Sequence, residues 1–163
     1  MRILGIDPSS TSTGIALVED GRLMDAACWR ASKEPDISIT LLKYARWLES
    51  HRLTCNLDSV CIERVSVSWN MNSIRKIAYV EGVSMATMRS LGVTNVSQMN
   101  PSSARKAVFG KGDIKKDRAY ELMTGMYDYV DWAKFKDGGS DMADAAVLGL
   151  AGWLTFNGRD PLF

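Results

Sequence analysis

The chain has 163 residues, of which 46% are hydrophobic and 24% are charged, and its formal net charge is +1. These totals are typical of one globular unit with its own core, so we predict that residues 1–163 form a single domain. No apolar run approaches the roughly 20 residues that span a bilayer, and no signal-peptide layout precedes the first strand. These two observations predict a cytoplasmic protein without a membrane partner.

The three cysteines lie in apolar contexts and lack the paired spacing of a metal or redox motif: Cys28, Cys55 and Cys61. An odd number of unpaired cysteines favours reduced thiols. We therefore predict that all three are reduced and lie in the core.

The first predicted element is a short apolar strand over residues 2–6 that ends at an aspartate. Asp7 is followed by Pro8, which cannot donate to a sheet, and by a hydroxyl-rich turn over residues 9–14. A carboxylate at the tip of a central strand is held rigidly and faces whatever the loops enclose. Considered alone, Asp7 has a second interpretation, in which it caps the turn by accepting hydrogen bonds from backbone N–H groups.

The remaining elements follow from apolar periodicity and turn residues. Strands are predicted at residues 13–19, 22–29, 57–62 and 93–99. Helices are predicted at residues 38–50, 72–89, 114–126 and 140–156, with a further helix that starts at 100–101. Asp20 and Gly21 predict a tight hairpin, and Glu63 ends the fourth strand as Asp7 ends the first. At the helix starts, Pro101 suits a first helical turn and Ser140 is predicted to be an N-cap.

Charge is distributed unevenly over the last third of the chain. Residues 104–118 hold six basic side chains and two acidic ones, whereas residues 121–144 hold six acidic side chains and two lysines. A basic segment beside an acidic one suits a site that binds phosphates and also holds cations.

Four carboxylates are candidates for such a site. Asp7 and Glu63 emerge at the same edge if their strands are neighbours, and Asp141 and Asp144 share one face of the last helix. The two helix acids have an alternative role as surface charges that compensate the helix dipole. Two like charges about 4 Å apart repel by about 4 kcal/mol at an effective dielectric of 20, so four converging acids require a cation. An all-carboxylate set favours Mg²⁺ or Mn²⁺, and two such ions would suit an in-line phosphoryl displacement.

Four blocks of sequence, in order, resemble the RuvC family of Holliday junction resolvases, and in length they resemble its shorter, phage-encoded members. The blocks are GIDPSSTSTG at 5–14, CIER at 61–64, NPSSARKAVFGKG at 100–112 and SDMADAAVLG at 140–149. The resemblance implies an α/β, ribonuclease H-like fold: a five-stranded mixed sheet, three antiparallel strands and then two parallel ones, flanked by helices. It also implies a homodimeric endonuclease that resolves four-way DNA junctions by paired symmetric nicks, in a bacterial or infected-host cytoplasm.

The resemblance also assigns residues and cofactors. The implied catalytic and metal-binding set is Asp7, Glu63, Asp141 and Asp144. It implies two Mg²⁺ ions per site, for which Mn²⁺ substitutes, and no nucleotide cofactor. It implies that Arg105, Lys111 and Lys116 lie near the DNA, although a solvated helix face is an alternative for them. Lys106 and Lys115, from the same basic segment, are also predicted to bind DNA. Lys111, between two glycines, is further expected to act in catalysis by balancing charge in the transition state.

One segment departs from the family pattern. Cellular members carry an aromatic residue, which stacks on DNA bases, just after the first glutamate, and this chain has serine there. Trp69 lies three residues further on and either replaces that stacking platform or belongs to the core. The helix at 72–89 occupies the place of the family's dimer interface.

Three alternative functions remain beside the resolvase interpretation. An actin- or sugar-kinase-like ATPase fits poorly, because glycine is missing two residues after Asp7 and the chain has no room for a second half-domain. A non-catalytic junction-binding protein would not be expected to keep four acids that repel phosphate. A nuclease of the same fold that cuts forks, flaps and three-way junctions stays open, because dimer geometry decides substrate choice.

Overall fold

The computed structural model describes residues 1–65, 71–134 and 139–161. Its five strands are β1 (Arg2–Asp7), β2 (Ser12–Glu19), β3 (Arg22–Arg30), β4 (Ser59–Glu63) and β5 (Asn95–Met99). They form one sheet in the order β3-β2-β1-β4-β5. The first three strands are antiparallel, whereas β4 pairs in parallel with both β1 and β5. The predicted mixed sheet, with three antiparallel strands followed by two parallel ones, is confirmed.

The turn between β2 and β3 is the hairpin predicted from its two residues. Asp20 has a φ angle of 48° and Gly21 one of 81°. Two consecutive positive φ angles give the tight turn whose twist matches that of the flanking strands.

Five α-helices flank the sheet: α1 (Ile37–Ser50), α2 (Met71–Ser90), α3 (Pro101–Phe109), α4 (Lys116–Met126) and α5 (Gly139–Asn157). Within the described ranges, no helix is long and apolar enough to cross a membrane. The prediction that Ser140 caps α5 is wrong, because Ser140 is the second residue of that helix. Helix α4 begins two residues after the predicted start at about residue 114, because Lys115 has an extended backbone, with φ −65° and ψ 152°.

The sheet separates two apolar clusters because side chains alternate between its faces. On β1, Ile3 packs into the cluster formed with α3, α4 and α5, whereas Leu4 and Ile6 pack into the cluster formed with α1 and α2. Helix α5 is the most deeply buried helix, as its apolar and alanine-rich sequence predicts. The residues two and four positions after Ile3 on β1 therefore lie on the face that α5 covers.

Helix α5 approaches the sheet closely because two strand residues have no side chain. A Cβ atom on Gly5 would lie 1.9 Å from the carbonyl oxygen of Ala145, and one on Gly14 would lie 2.1 Å from that of Asp141. Any larger residue at these two positions would displace the backbone of α5.

The prediction of three core thiols is correct for Cys28 and Cys61, which are buried, and wrong for Cys55, which is exposed. Cys55 follows a 3-10 turn at Arg52–Thr54 and precedes Asn56, whose φ angle is 54°. This turn lies at the surface and leads the chain into β4. The Cys55 thiol is therefore exposed, although its neighbours in the sequence are apolar.

Candidate active site

Two carboxylates lie side by side where β1 and β4 end. The strands are parallel, and Ile6 is in register with Ile62, so Asp7 and Glu63 are the next residues on each strand. Strand alternation places Asp7 on the same face as Gly5, and Glu63 on the same face as Cys61. That face is the one covered by α5, and Asp7 is only 8% exposed there.

The first turns of α5 bring two more acids to the same place. Asp141 and Asp144 lie three positions apart in the sequence and therefore share one helical face. The close contact of Gly14 with the backbone of Asp141 fixes the height of this turn above the sheet. The charges of Glu63, Asp144 and Asp141 all act on Asp7, so the fold brings together the four acids that the sequence indicated.

The two strand-end acids hold their protons more strongly than ordinary carboxyl groups. Burial raises the pKa of Asp7 well above its usual range, and the charges of Glu63 and Asp144 add to the effect. Burial also raises the pKa of Glu63, again with a contribution from Asp144, against a hydrogen bond with Asp7 that lowers it. This pocket is electrostatically unsuited to four unpaired negative charges and suited to a bound cation.

A lysine already supplies positive charge to the cluster. The Nζ atom of Lys116 lies 2.9 Å from Oδ2 of Asp144 and 3.3 Å from Oδ1 of Asp141. Burial alone would lower the pKa of Lys116, but Asp144, Asp7 and Asp141 together raise it. Lys116 is therefore a charged member of the site and not only a residue of the basic helix.

Arg105 is the second cation that contacts the acids. Its guanidinium donates to Oδ1 of Asp144 at 3.3 Å and to the carbonyl oxygen of Ile114 at 3.3 Å. The side chain is 18% exposed, and it lies inward from α3 instead of along a solvated helix face.

The chemistry of the donor set fits a hard divalent cation. All four acids offer carboxylate oxygens, the ligands that Mg²⁺ and Mn²⁺ prefer, and two of them already share an ammonium group. Across the residues that the structure describes, no three acidic, histidine or cysteine side chains yet form a group able to hold a metal ion. A bound ion would thus require Lys116 to withdraw from the oxygens of Asp141 and Asp144 that it contacts.

The other residues predicted to contact DNA are placed differently. Lys106, Lys111 and Lys115 are exposed, on α3 and in the turn between α3 and α4. Gly110 ends α3 with a φ angle of 75°, so Lys111 directly follows a sharp turn. Trp69 lies outside the described residues.

Sequence reasoning missed one polar side chain of the site. The hydroxyl of Ser12 donates to Oδ2 of Asp141 at 2.6 Å, across 129 residues of chain. The available signal was the hydroxyl-rich turn after Asp7. Only the pairing of Asp7 with Gly14 shows which hydroxyl of that turn faces α5.

Comparison with known proteins gives a consistent match over nearly the whole chain. The family model described as crossover junction endodeoxyribonuclease RuvC matches residues 3–151. The RuvC of Mycobacterium ulcerans is 30% identical over 159 residues, covering 92% of this chain and 82% of the relative. That of Saccharopolyspora erythraea is 29% identical over 157 residues, covering 91% and 74%.

Solved structures match the fold. T. thermophilus RuvC in complex with a Holliday junction substrate superposes with a TM-score of 0.77 at 17% identity, covering 99% of both chains. The yeast mitochondrial Holliday junction resolvase superposes with a TM-score of 0.62 at 14% identity, covering 96% of this chain and 80% of that one. The ribonuclease H-like fold predicted from the sequence is confirmed.

Proposed function

Because this chain belongs to the RuvC family of crossover junction endodeoxyribonucleases, we propose that it resolves four-way DNA junctions by paired symmetric nicks, in a bacterial or infected-host cytoplasm. The observation that carries the proposal is the meeting of four carboxylates from β1, β4 and α5 at one edge of the sheet. Because the chain belongs to this family, we interpret the strand-end aspartate as part of a nuclease site and not of a kinase-like ATPase.

The reaction that this site supports is metal-dependent hydrolysis of a phosphodiester. Its proposed metal-binding residues are Asp7, Glu63, Asp141 and Asp144, and the proposed cofactor is two Mg²⁺ ions, with Mn²⁺ as a substitute. When bound, two ions would activate the attacking water and stabilise the departing 3′ oxygen. The acids orient this chemistry because two are fixed on strand ends and two on a helix that lies directly on the sheet.

The basic side chains have separate proposed roles. Lys116 pairs with both Asp141 and Asp144 in the free protein, and its 46% exposed side chain is long enough to turn to a DNA phosphate. Arg105 stays with Asp144 and holds that carboxylate in place. Lys111, with Lys106 and Lys115, supplies exposed charge for the DNA backbone, and Lys111 also balances charge in the transition state.

The dimer is proposed to form through α2. Ala78, Gly82 and Ala86 are exposed at intervals of four residues and form a smooth stripe on this helix. Among the described residues, no atom outside α2 lies within 4 Å of a Cβ built on Gly82, so the stripe leaves room for a second helix. Tyr79, 45% exposed beside it, supplies apolar area for the contact.

Gel analysis of cleavage tests the proposal. Purified protein is incubated with a labelled four-way junction, a three-way junction, a flap and a linear duplex, each with and without Mg²⁺. We expect paired, symmetric nicks that depend on Mg²⁺ and are confined to the four-way junction.

Each alternative gives a distinct pattern in the same gel. Mg²⁺-dependent cutting of every branched substrate would identify the broader branched-DNA nuclease. Binding of the junction without nicks in Mg²⁺ or Mn²⁺ would overturn the catalytic site and leave a junction-binding protein.

A further inference from the structure

We propose that Ser12 is a positioning residue that fixes one oxygen of Asp141 and thereby sets the affinity of the site for a divalent cation. This inference rests on the proposed function, since it assumes that Asp141 holds metal. It concerns a residue of β2 that belongs to none of the four carboxylate positions.

The hydrogen bond of Ser12 has a defined direction. A hydroxyl carries one proton, and a carboxylate can only accept, so Ser12 Oγ donates to Oδ2 of Asp141 at 2.6 Å. The same Oγ lies 3.1 Å from Sγ of Cys28, and the single thiol proton is shared between this hydroxyl and the carbonyl oxygen of Trp29, to which Sγ donates at 3.5 Å. Cys28 is buried on the neighbouring strand β3, opposite Gly14, so it packs beside the Ser12 hydroxyl on the face that α5 covers.

The bond divides the two oxygens of Asp141 between two functions. Oδ2 is held by Ser12, whereas Oδ1 faces Nζ of Lys116 at 3.3 Å. Oδ1 is therefore the oxygen that remains for a cation. Because the serine partner is neutral, it orients the carboxylate without cancelling the charge that attracts a metal ion.

The two helix acids are held by different kinds of partner. Asp144 contacts Arg105 through Oδ1 and Lys116 through Oδ2, so both of its oxygens face positive charge. Asp141 is more exposed, at 17% against 10%, and has Ser12 in place of an arginine. Without Ser12, the Asp141 side chain would keep only its 3.3 Å contact with the half-exposed Lys116.

The backbone makes this arrangement rigid. Gly14 lies two residues after Ser12 on β2 and touches the carbonyl of Asp141, so the same strand holds the helix turn and the side chain that it carries. Loss of such a supporting hydrogen bond costs about 10- to 100-fold in metal affinity or activity in other metalloproteins.

Calorimetric titration of Mn²⁺ into the DNA-free protein tests the inference. We expect Ser12→Ala to weaken Mn²⁺ binding by at least about 10-fold. Ser12→Thr keeps a hydroxyl at the same position and should restore binding. Ser10→Ala, which removes a hydroxyl from the same turn, is the matched control and should bind Mn²⁺ normally. The cleavage rate of Ser12→Ala should recover at saturating Mn²⁺, because only affinity is lost.

A second pair of variants separates positioning from a general effect on folding. In an Asp141→Asn background, Ser12→Ala should cause no further loss of Mn²⁺ affinity, since the oriented carboxylate is gone. An equal loss in both backgrounds would overturn the positioning role, as would normal Mn²⁺ binding by Ser12→Ala. Failure of the unmodified protein to bind Mn²⁺ would instead overturn the proposed metal site, and this inference with it.

Discussion

Asp7 is a buried acid that faces other acids, and its position reflects function more than stability. Its side chain is 8% exposed, and both burial and the charge of Glu63 oppose its ionisation. A group in this situation lowers the stability of the free protein at neutral pH. Such a cost is typical of residues kept for the ligand that they bind.

Asp7→Asn should abolish cleavage and leave junction binding intact or tighter. The change removes one proposed metal ligand and one negative charge near the DNA phosphates. We expect the cleavage rate to fall by more than the roughly 100-fold that loss of a supporting group costs. Cleavage and gel-shift assays on a labelled four-way junction measure the two effects separately.

The control for this variant is Asp113→Asn, which changes an exposed acid in the turn before α4. It should cut the junction at the normal rate. An Asp7→Asn protein that cuts as fast as the unmodified one would remove Asp7 from the catalytic set.

Stability in divalent-free buffer should depend on pH through Asp7. Its pKa is raised in the folded state, so the folded protein keeps a proton that the unfolded chain has already released. Stability is therefore lost as pH rises from the unfolded pKa of about 4 through the raised folded pKa, and the loss is complete above it. The Tm advantage of Asp7→Asn over the unmodified protein should grow over that range. A constant difference in Tm from pH 4 to pH 8 would contradict the raised pKa.

Lys116→Ala tests whether this lysine reaches DNA. If Lys116 turns from Asp144 to a phosphate, the variant should bind the junction more weakly, and the slope of log K against log salt should fall by about 1. Lys43→Ala removes the same charge from α1, on the opposite face of the sheet, where Lys43 pairs with Glu34. An unchanged slope in Lys116→Ala would restrict Lys116 to its contacts with Asp141 and Asp144.

At the scale of elements, the contact between α5 and the sheet decides where the helix acids lie. Two strand glycines let the helix backbone rest on the strand backbone, at Gly5 against Ala145 and at Gly14 against Asp141. The site therefore depends on a packing contact that has no catalytic group of its own.

Gly14→Ala should destabilise the protein and weaken cleavage together. A Cβ atom at this position would lie 2.1 Å from the carbonyl oxygen of Asp141, and neither backbone can yield without moving α5. We expect a loss of about 3 kcal/mol or more, which corresponds to a fall in Tm of roughly 10 °C. Thermal denaturation and junction cleavage measure the two consequences.

Gly125→Ala is the matched control, because a Cβ on this glycine of α4 meets no atom outside α4 within 4 Å in the part of the chain that the structure describes. It should stabilise the protein by up to about 1 kcal/mol, as alanine favours a helix over glycine. Equal Tm values for the two variants would show that the close contact at residue 14 does not limit the stability of the protein.

At the scale of the whole molecule, paired nicks require two sites, and α2 is the proposed contact between them. Gly82→Glu places an unpaired charge on the smooth stripe of this helix. Such a charge inside an interface costs about 2 kcal/mol or more, so the dimer dissociation constant should rise at least about 30-fold. Sedimentation measures the dissociation constant, and the gel should show single nicks in place of paired ones.

Gly125→Glu on α4 provides the same charge away from α2 and should leave the dimer intact. Normal dimers in Gly82→Glu would exclude the stripe as the interface.

The sequence by itself determined the elements and the identity of the acids. Apolar runs that end at Asp7 and Glu63 predicted the strands, and apolar periodicity predicted the helices, because local burial patterns repeat every two residues in strands and every 3.6 in helices. Errors fell at helix starts such as Ser140, and at Cys55, where the course of the chain overrides the local pattern.

Only the tertiary structure decided how the site is supported. The inward orientation of Arg105, the ammonium of Lys116 between two carboxylates and the hydroxyl of Ser12 on Asp141 join residues that are 25 to 129 positions apart. Such contacts leave no periodic signal in the chain, since they depend on strand register and on how closely α5 lies on the sheet. The physical reason is that local sequence selects an element and its faces, whereas the packing of elements selects which side chains meet.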